Sequence, residues 1–197
     1  MQELELNCSG MRLFVGVALA DEVARELAAL VQRLRSCAGD GHSGRLRWTE
    51  PESWHVTLQF LGNTTTEQLE CLKTRLSEVR CGPVAVELGE LGAFDRAGVL
   101  FVDVNVTPKL AALQQRVLAA TSQCGFIAEK RPFHPHITLS RSKGDGRHAQ
   151  LQGLLDKAGK VPAFSRFTAH EFLLYESHLG PGGSRYEVRE RFGLGVA

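Results

Sequence analysis

The chain lacks most of the features that mark a specialised class. Its formal net charge is only +1 over 197 residues. A protein that grips long duplex nucleic acid neutralises many phosphates and carries a far more basic balance. That class is excluded, and a local cluster of arginines is what remains for phosphate recognition. No apolar run approaches the roughly 18 residues of a membrane span, so no membrane association is expected. Residues 1–10 contain Glu3 and Glu5 and lack the basic-then-apolar order of a secretory signal. They read as a mobile extension ahead of the first strand, and the expected location is cytoplasmic. The five cysteines, Cys8, Cys37, Cys71, Cys81 and Cys124, form no Cys-x-x-Cys pair. Zinc-ribbon spacing is therefore absent, and the odd, scattered set reads as free thiols in a reducing compartment. There is no Gly-x-x-x-x-Gly-Lys-Ser/Thr phosphate loop and no nucleotidyl-lysine motif, so an ATP-dependent ligase is not expected.

What is present suffices for a packed core. Apolar residues make up 43% and charged residues 23% of the chain, ordinary globular proportions. The length fits one domain or two intimately joined lobes. Met11 to Ala20 reads as a buried strand. Asp21 follows as a helix N-cap, with Val23, Leu27, Leu30, Val31 and Leu34 at helical spacing. After a glycine-rich loop over 39–44, Leu46 to Trp48 reads as a short strand and Trp54 to Leu61 as a longer one. Thr66 caps a helix through Val79, and Thr107-Pro108 opens another that runs to about Cys124. Further strands are expected at Val84 to Leu88, Val99 to Val106, Pro135 to Arg141, Ala169 to Ser177 and Arg185 to Phe192. Ala149 to Lys157 reads as a helix.

One phrase occurs twice. His55-Val56-Thr57-Leu58 returns as His136-Ile137-Thr138-Leu139. Side chains alternate across a strand, so in each copy His and Thr face one way while the β-branched residue and Leu face the other. Each strand then has a packed back and a chemically armed front. Two such strands across a cleft would present two imidazoles and two hydroxyls to one ligand, the equipment for acid–base chemistry on a phosphate. A single His-x-Thr carries no such weight, because a lone strand histidine is usually a satisfied, partly buried residue. The similar order of elements after each copy suggests a duplicated unit.

These motifs resemble the 2H phosphoesterases, and more closely the branch of RNA 2′,3′-cyclic phosphodiesterases historically called 2′–5′ RNA ligases. The resemblance rests on Met11 to Val15, on Trp54 to Gly62, on Arg131 to Arg141 and on Leu174 to Ser177 with Gly182 to Tyr186. It covers residues 11–192. It implies an α+β fold of two pseudo-symmetric lobes, each an antiparallel sheet flanked by helices, around a central cleft, with 11–197 as a single bilobal domain. It also implies hydrolysis of the 2′,3′-cyclic phosphate at RNA 3′ ends, to a 2′-phosphate, without metal or cofactor. His55 would be the proton donor and His136 the base, although the residues by themselves permit the reverse. His134 departs from the branch, which more often has Arg there.

Chemistry supplies the remaining candidates. Thr57 and Thr138 can donate hydroxyl hydrogen bonds to the phosphorane oxygens. Arg141 would add a forked guanidinium, provided the strand ends or twists there, because plain alternation puts it on the wrong face. Arg131 and His134 are candidates for the same mouth. Phe14, Trp48, Trp54 and Tyr175 are the aromatics considered for a base, with Phe14 and Tyr175 as possible substrate contacts. His134-x-His136 lacks a third ligand, so no metal site is expected. The chain is expected to be a monomer. Two other readings stay open: a phosphodiesterase for small nucleotides such as ADP-ribose 1″,2″-cyclic phosphate or for 2′–5′ oligoadenylate, and a non-catalytic nucleotide-binding module.

Overall fold

The computed structural model describes residues 10–38, 46–142, 144, 147–161, 163–180 and 183–195. The expectations for 1–9, for the 39–44 loop and for Gly182 lie outside the described residues. The strands are β1 (Met11–Ala18), β2 (Leu46–Trp48), β3 (His55–Thr64), β4 (Val84–Val86), β5 (Leu88–Phe94), β6 (Val99–Val104), β7 (His136–Ser142), β8 (Phe167–Ala169), β9 (Glu171–Gly180) and β10 (Gly183–Gly193). The helices are α1 (Asp21–Ala38), α2 (Thr66–Ser77), α3 (Pro108–Ser122) and α4 (Arg147–Ala158).

Two four-stranded sheets form the frame, with strand orders β10-β9-β1-β3 and β2-β7-β6-β5. All pairings are antiparallel, so the α+β class with antiparallel sheets is as expected. The first sheet joins the two chain ends and the second uses the middle of the chain. Each motif strand lies in a different sheet, and β3 and β7 meet where the sheets approach. One continuous core lies behind both: Val56 and Leu58 of β3 and Ile137 and Leu139 of β7 belong to the same buried cluster as the inner faces of α1, α2 and α3. Burial of these four side chains, about 1.5–3 kcal/mol each, fixes which face of each motif strand is left for chemistry.

Several boundaries differ from the sequence reading for local reasons. Thr65, not Thr66, caps α2: its hydroxyl accepts from the Gln68 amide at 3.2 Å while its own amide donates to the Gln68 side chain at 3.1 Å. Thr64 and Thr65 both have Glu or Gln three positions on, but Thr64 is the last residue of β3 and its hydroxyl donates to the Gly62 carbonyl at 3.1 Å, which leaves Thr65 as the cap. Asp21 is the first helical residue rather than the cap, because the Ala20 carbonyl already accepts from Ala24; its carboxylate there complements the helix dipole. The single strand expected at Ala169 to Ser177 is two. β8 pairs with β4 in a separate small sheet, and the chain turns at His170, whose carbonyl accepts from Leu194.

The cysteine reading needs correction. Cys71 on α2 and Cys124, just beyond α3, are joined as a disulfide, 53 residues apart in sequence. Packing of α2 on α3 brings them together, which no short-range spacing reveals. Cys37 and Cys81 are free thiols.

Candidate active site

Each motif histidine is fixed by the same local device. His55 Nδ1 lies 2.8 Å from the Ser53 carbonyl, and His136 Nδ1 lies 2.8 Å from the His134 carbonyl. A carbonyl only accepts, so each Nδ1 carries the hydrogen and each Nε2 is left free to take or give a proton. The turn that supplies the first carbonyl is a 3₁₀ segment, Pro51–Ser53, running directly into β3. Thr57 and Thr138 are partly exposed beside their histidines, while Val56 and Ile137 between them are fully buried. The alternation read from the sequence is present in both strands.

Beyond the threonines that alternation is broken, and the break shapes the site. On β1 the partners of Ala18, Gly16 and Phe14 are His55, Thr57 and Phe60, with Leu58 skipped. On β6 the partners of Asp103, Phe101 and Val99 are His136, Thr138 and Arg141, with Leu139 skipped. Each motif strand thus carries a β-bulge at its motif leucine. The extra residue reverses the parity, so the residue five positions after each histidine returns to the histidine's face. Arg141 therefore joins the site, and both histidines feel its charge. Arg47 lies directly across from it on β2, and among the described residues neither arginine has a carboxylate partner. Gly16 allows the bulge in β3: a Cβ there would sit 2.9 Å from the Val56 carbonyl.

The surroundings of the two histidines are related but unequal. His55 lies 4.5 Å from Phe14, 5.6 Å from Tyr175 and 4.9 Å edge-on from Tyr186, ring centre to ring centre. His136 lies 5.0 Å from Phe94 and 5.3 Å from Phe101. Its side also holds a hydrogen-bonded pair: His134 Nε2 is 2.6 Å from Asp103, the residue opposite His136 in register. Burial pushes His55 down from 6.5 to about 4, helped by the positive charges of His136 and Arg141 against the opposing carbonyl bond. Burial also lowers His136, helped by the positive charges of His134 and Arg141, with the bond to the His134 carbonyl and the Asp103 carboxylate pulling upward.

These shifts link stability to pH. An unfolded chain binds a proton at His55 near 6.5, whereas the folded chain resists it down to about 4. The unfolded state then holds more protons across that window, so stability rises with pH there and is lost as pH falls from 6.5 towards 4. His136 contributes with the same sign. Urea midpoints measured at pH 7, 5.5 and 4.5 are expected to fall less steeply in His55→Asn than in the parent. Equal slopes would mean that His55 is not held neutral by the fold.

The other candidates are placed as follows. Phe14 and Tyr175 are 2% and 7% exposed; they stack at 4.8 Å as the wall behind His55 rather than as an open face. Trp54 is in the core, and Trp48 lies beneath the Arg35 guanidinium. Arg131 extends into solvent and pairs with Glu129 at 2.9 Å, so the structure does not bring it to the histidines. His134 does stand beside His136. Asp103, Phe94, Phe101, Tyr186, Arg47 and Phe60 were not singled out from the sequence, since strand pairing across long separations is what brings them in. Among the described residues one group has metal-ligand proximity, Glu176, His178 and Glu187. It occupies the opposite face of β9 and β10 from Tyr175, and Arg189 already pairs with both carboxylates, at 3.3 and 3.5 Å.

The sequence pattern of the 2′-5′ RNA ligase superfamily matches residues 18–181 of this chain, a stretch that includes both motif strands. The chain belongs to this superfamily. It is similar to an RNA 2′,3′-cyclic phosphodiesterase of Archaeoglobus fulgidus, with 29% identity over 180 residues, 90% of the chain and 97% of that relative. The RNA 2′,3′-cyclic phosphodiesterase of Aquifex aeolicus is 34% identical over 157 residues, 76% of the chain and 82% of the relative. Among solved structures, Escherichia coli LigT complexed with 3′-AMP superposes with a TM-score of 0.73 at 24% identity, over 94% of this chain and 99% of LigT. That likeness concerns the fold alone, over nearly the whole chain. No helix among the described residues is long and apolar enough to cross a membrane.

Proposed function

We propose that this member of the 2′-5′ RNA ligase superfamily hydrolyses 2′,3′-cyclic phosphates at RNA 3′ ends to 2′-phosphates, by metal-independent acid–base catalysis between His55 and His136. The observation that carries the reading is the paired imidazole arrangement: two histidines, each with Nδ1 tied to the carbonyl two residues before it and Nε2 free, on strands that meet. Binding alone needs no such pair. Family membership and the names of the relatives support the substrate class.

In this scheme water attacks phosphorus and gives its proton to His136 Nε2. The P–O3′ bond breaks, and His55 Nε2–H delivers a proton to the departing O3′. The ring strain leaves with that bond, and the product carries its phosphate on O2′. Thr57, Thr138 and Arg141 hold the non-bridging oxygens as their charge grows. The incoming phosphate anion favours the protonated form of the imidazole beside it, offsetting the downward pull of burial on that ring. One chain supplies both histidines, so the site is complete in a monomer.

The test is hydrolysis of a short RNA ending in 2′,3′-cyclic phosphate, in EDTA, with products resolved as 2′- or 3′-monophosphate. The expected product is the 2′-phosphate. Opening to the 3′-phosphate would keep the chemistry and reject the regiochemistry. No turnover of this RNA alongside turnover of ADP-ribose 1″,2″-cyclic phosphate would transfer the activity to small nucleotides.

A further inference from the structure

Arg141 does not stand alone. Its register partner on β2 is Arg47, and directly opposed residues of an antiparallel pair project to one face, about 4.5–5.5 Å apart at Cβ. The burial pattern agrees. Leu46, Ser140 and Ser142 are buried on the back of these strands, and Arg47 and Arg141 are both exposed. Like charges so placed repel and destabilise a sheet. The nearest acidic residue in sequence, Glu50, offers no relief, because it is engaged with Arg35 at 3.6 Å. A bound polyanion removes the repulsion.

Arg47 also reaches across the cleft. β2 belongs to one sheet and β10 to the other, yet a Cβ at Gly183, the first residue of β10, would lie 3.6 Å from Arg47 Cδ. On the same strand Tyr186 packs edge-on against His55. β2 is the outer strand of its sheet, so no further strand covers Arg47. The two guanidiniums are not equivalent towards the chemistry: the charge of Arg141 depresses both histidines and that of Arg47 neither. Arg47 therefore stands further out along the mouth. A cyclic phosphate carries one negative charge, which Thr57, Thr138 and Arg141 serve in the scheme above. In an RNA the next anion is the diester that links the terminal nucleoside to its 5′ neighbour.

We infer that Arg47 binds this second phosphate, so that the preferred substrate is an RNA end of two or more nucleotides rather than a mononucleoside cyclic phosphate; the inference rests on the function proposed above. Neighbouring strands then hold neighbouring phosphates, Arg141 the reacting one and Arg47 the next. Phosphate contacts position a chain without reading its sequence, so the preference is for length and not for base identity.

The experiment uses two dinucleotides ending in 2′,3′-cyclic phosphate, both with adenine bases and a 2′-O-methyl group on the 5′ nucleoside. One has the natural anionic diester between its nucleosides, and the other has a neutral methylphosphonate. The parent is expected to show the lower KM for the diester. Arg47→Ala should raise KM for the diester by about 3- to 30-fold more than for the methylphosphonate, a range between an exposed ion pair and a charge-assisted hydrogen bond, with kcat little changed between the two. Arg47→Lys should restore most of the preference, because a point charge suffices to hold a phosphate. Equal KM values in the parent, or an equal rise on both substrates in Arg47→Ala, overturn the proposal. So does a rise confined to ADP-ribose 1″,2″-cyclic phosphate, whose pyrophosphate is another second anion. If the parent hydrolyses neither dinucleotide, the proposed function fails on its own account. Calorimetric binding of the two corresponding 2′-phosphate dinucleotides then decides the role of Arg47: a preference for the diester that Arg47→Ala abolishes supports it, and no preference, or one that survives, overturns it.

Discussion

Alanine at His55 or at His136 is expected to reduce turnover of a 2′,3′-cyclic phosphate by about 10²–10⁴-fold each, with the protein still folded. Neither ring is part of the main core cluster. Each substitution gives up one side-chain hydrogen bond to a carbonyl, worth about 1 kcal/mol of stability, and lifts the burial pressure on the ring. The loss should therefore appear in kcat, with a thermal midpoint close to that of the parent. Because the two rings act in one proton relay, the double variant should lose far less than the product of the two single losses. A substrate with sulfur at the 3′ position assigns the roles. Its leaving thiolate needs no proton, so the variant lacking the donor recovers and the variant lacking the base does not. The scheme above expects recovery in His55→Ala. Recovery in His136→Ala would reverse the two roles, and near-parental turnover in either folded variant would falsify the two-histidine mechanism.

The His-x-Thr half of this site was legible because it is local. His, Thr and the buried residues between them follow from a period of two, and the same phrase in two strands makes chance a poor explanation. The helix at Pro108 was legible for the same reason, since Thr107 accepts from the Leu110 amide as a Thr-Pro start requires. What escaped is whatever depends on pairing. The bulges sit at Leu58 and Leu139, residues with no bulge signature, and they are visible only as skipped positions in the registers with β1 and β6. Without them Arg141 faces the wrong way, and Phe60 is one more apolar residue in a strand. Asp103 reaches His134 because β6 lies beside β7, and Phe101 is admitted because Gly92 on β5 has no Cβ to meet its ring, which would come within 2.7 Å. These contacts belong to strands far apart in sequence.

The contact of His134 with Asp103 is the plainest difference between the two half-sites. The residue two before each histidine is Ser53 in one motif and His134 in the other, and in both cases its backbone carbonyl anchors the imidazole. Only the second also brings a side chain that pairs with a carboxylate. At His136 the upward pull of the Asp103 carboxylate is outweighed by the downward pull of the neighbouring His134 imidazole, so the pair does not raise that ring; burial leads at both histidines and presses harder on His55. Equal motifs therefore yield unequal proton affinities, and in the free protein the stronger downward pull falls on His55, the proposed donor, whose protonation then depends on the phosphate anion bound beside it.

Arg141→Ala is expected to lower kcat/KM by about 10²–10³-fold, the usual cost of removing one donor from a developing oxyanion. Lysine should restore only part of the loss, because an ammonium supplies charge but not the planar fork that binds two phosphate oxygens. The charge also has a second readout that does not depend on substrate. Arg141 depresses both histidines, so its removal should let each bind a proton at higher pH, and the histidine titrations followed by NMR in the free protein should both move upward. In Arg141→Lys they should stay near their parental positions, since the positive charge is retained. The alkaline limb of the kcat/KM profile, which reports ionisations of the free enzyme, should follow the titration in Arg141→Ala. Loss of activity with both histidines titrating as in the parent would limit Arg141 to holding the phosphate. An unchanged rate and unchanged titrations would remove it from the site altogether, and with it the role assigned to the bulge at Leu139.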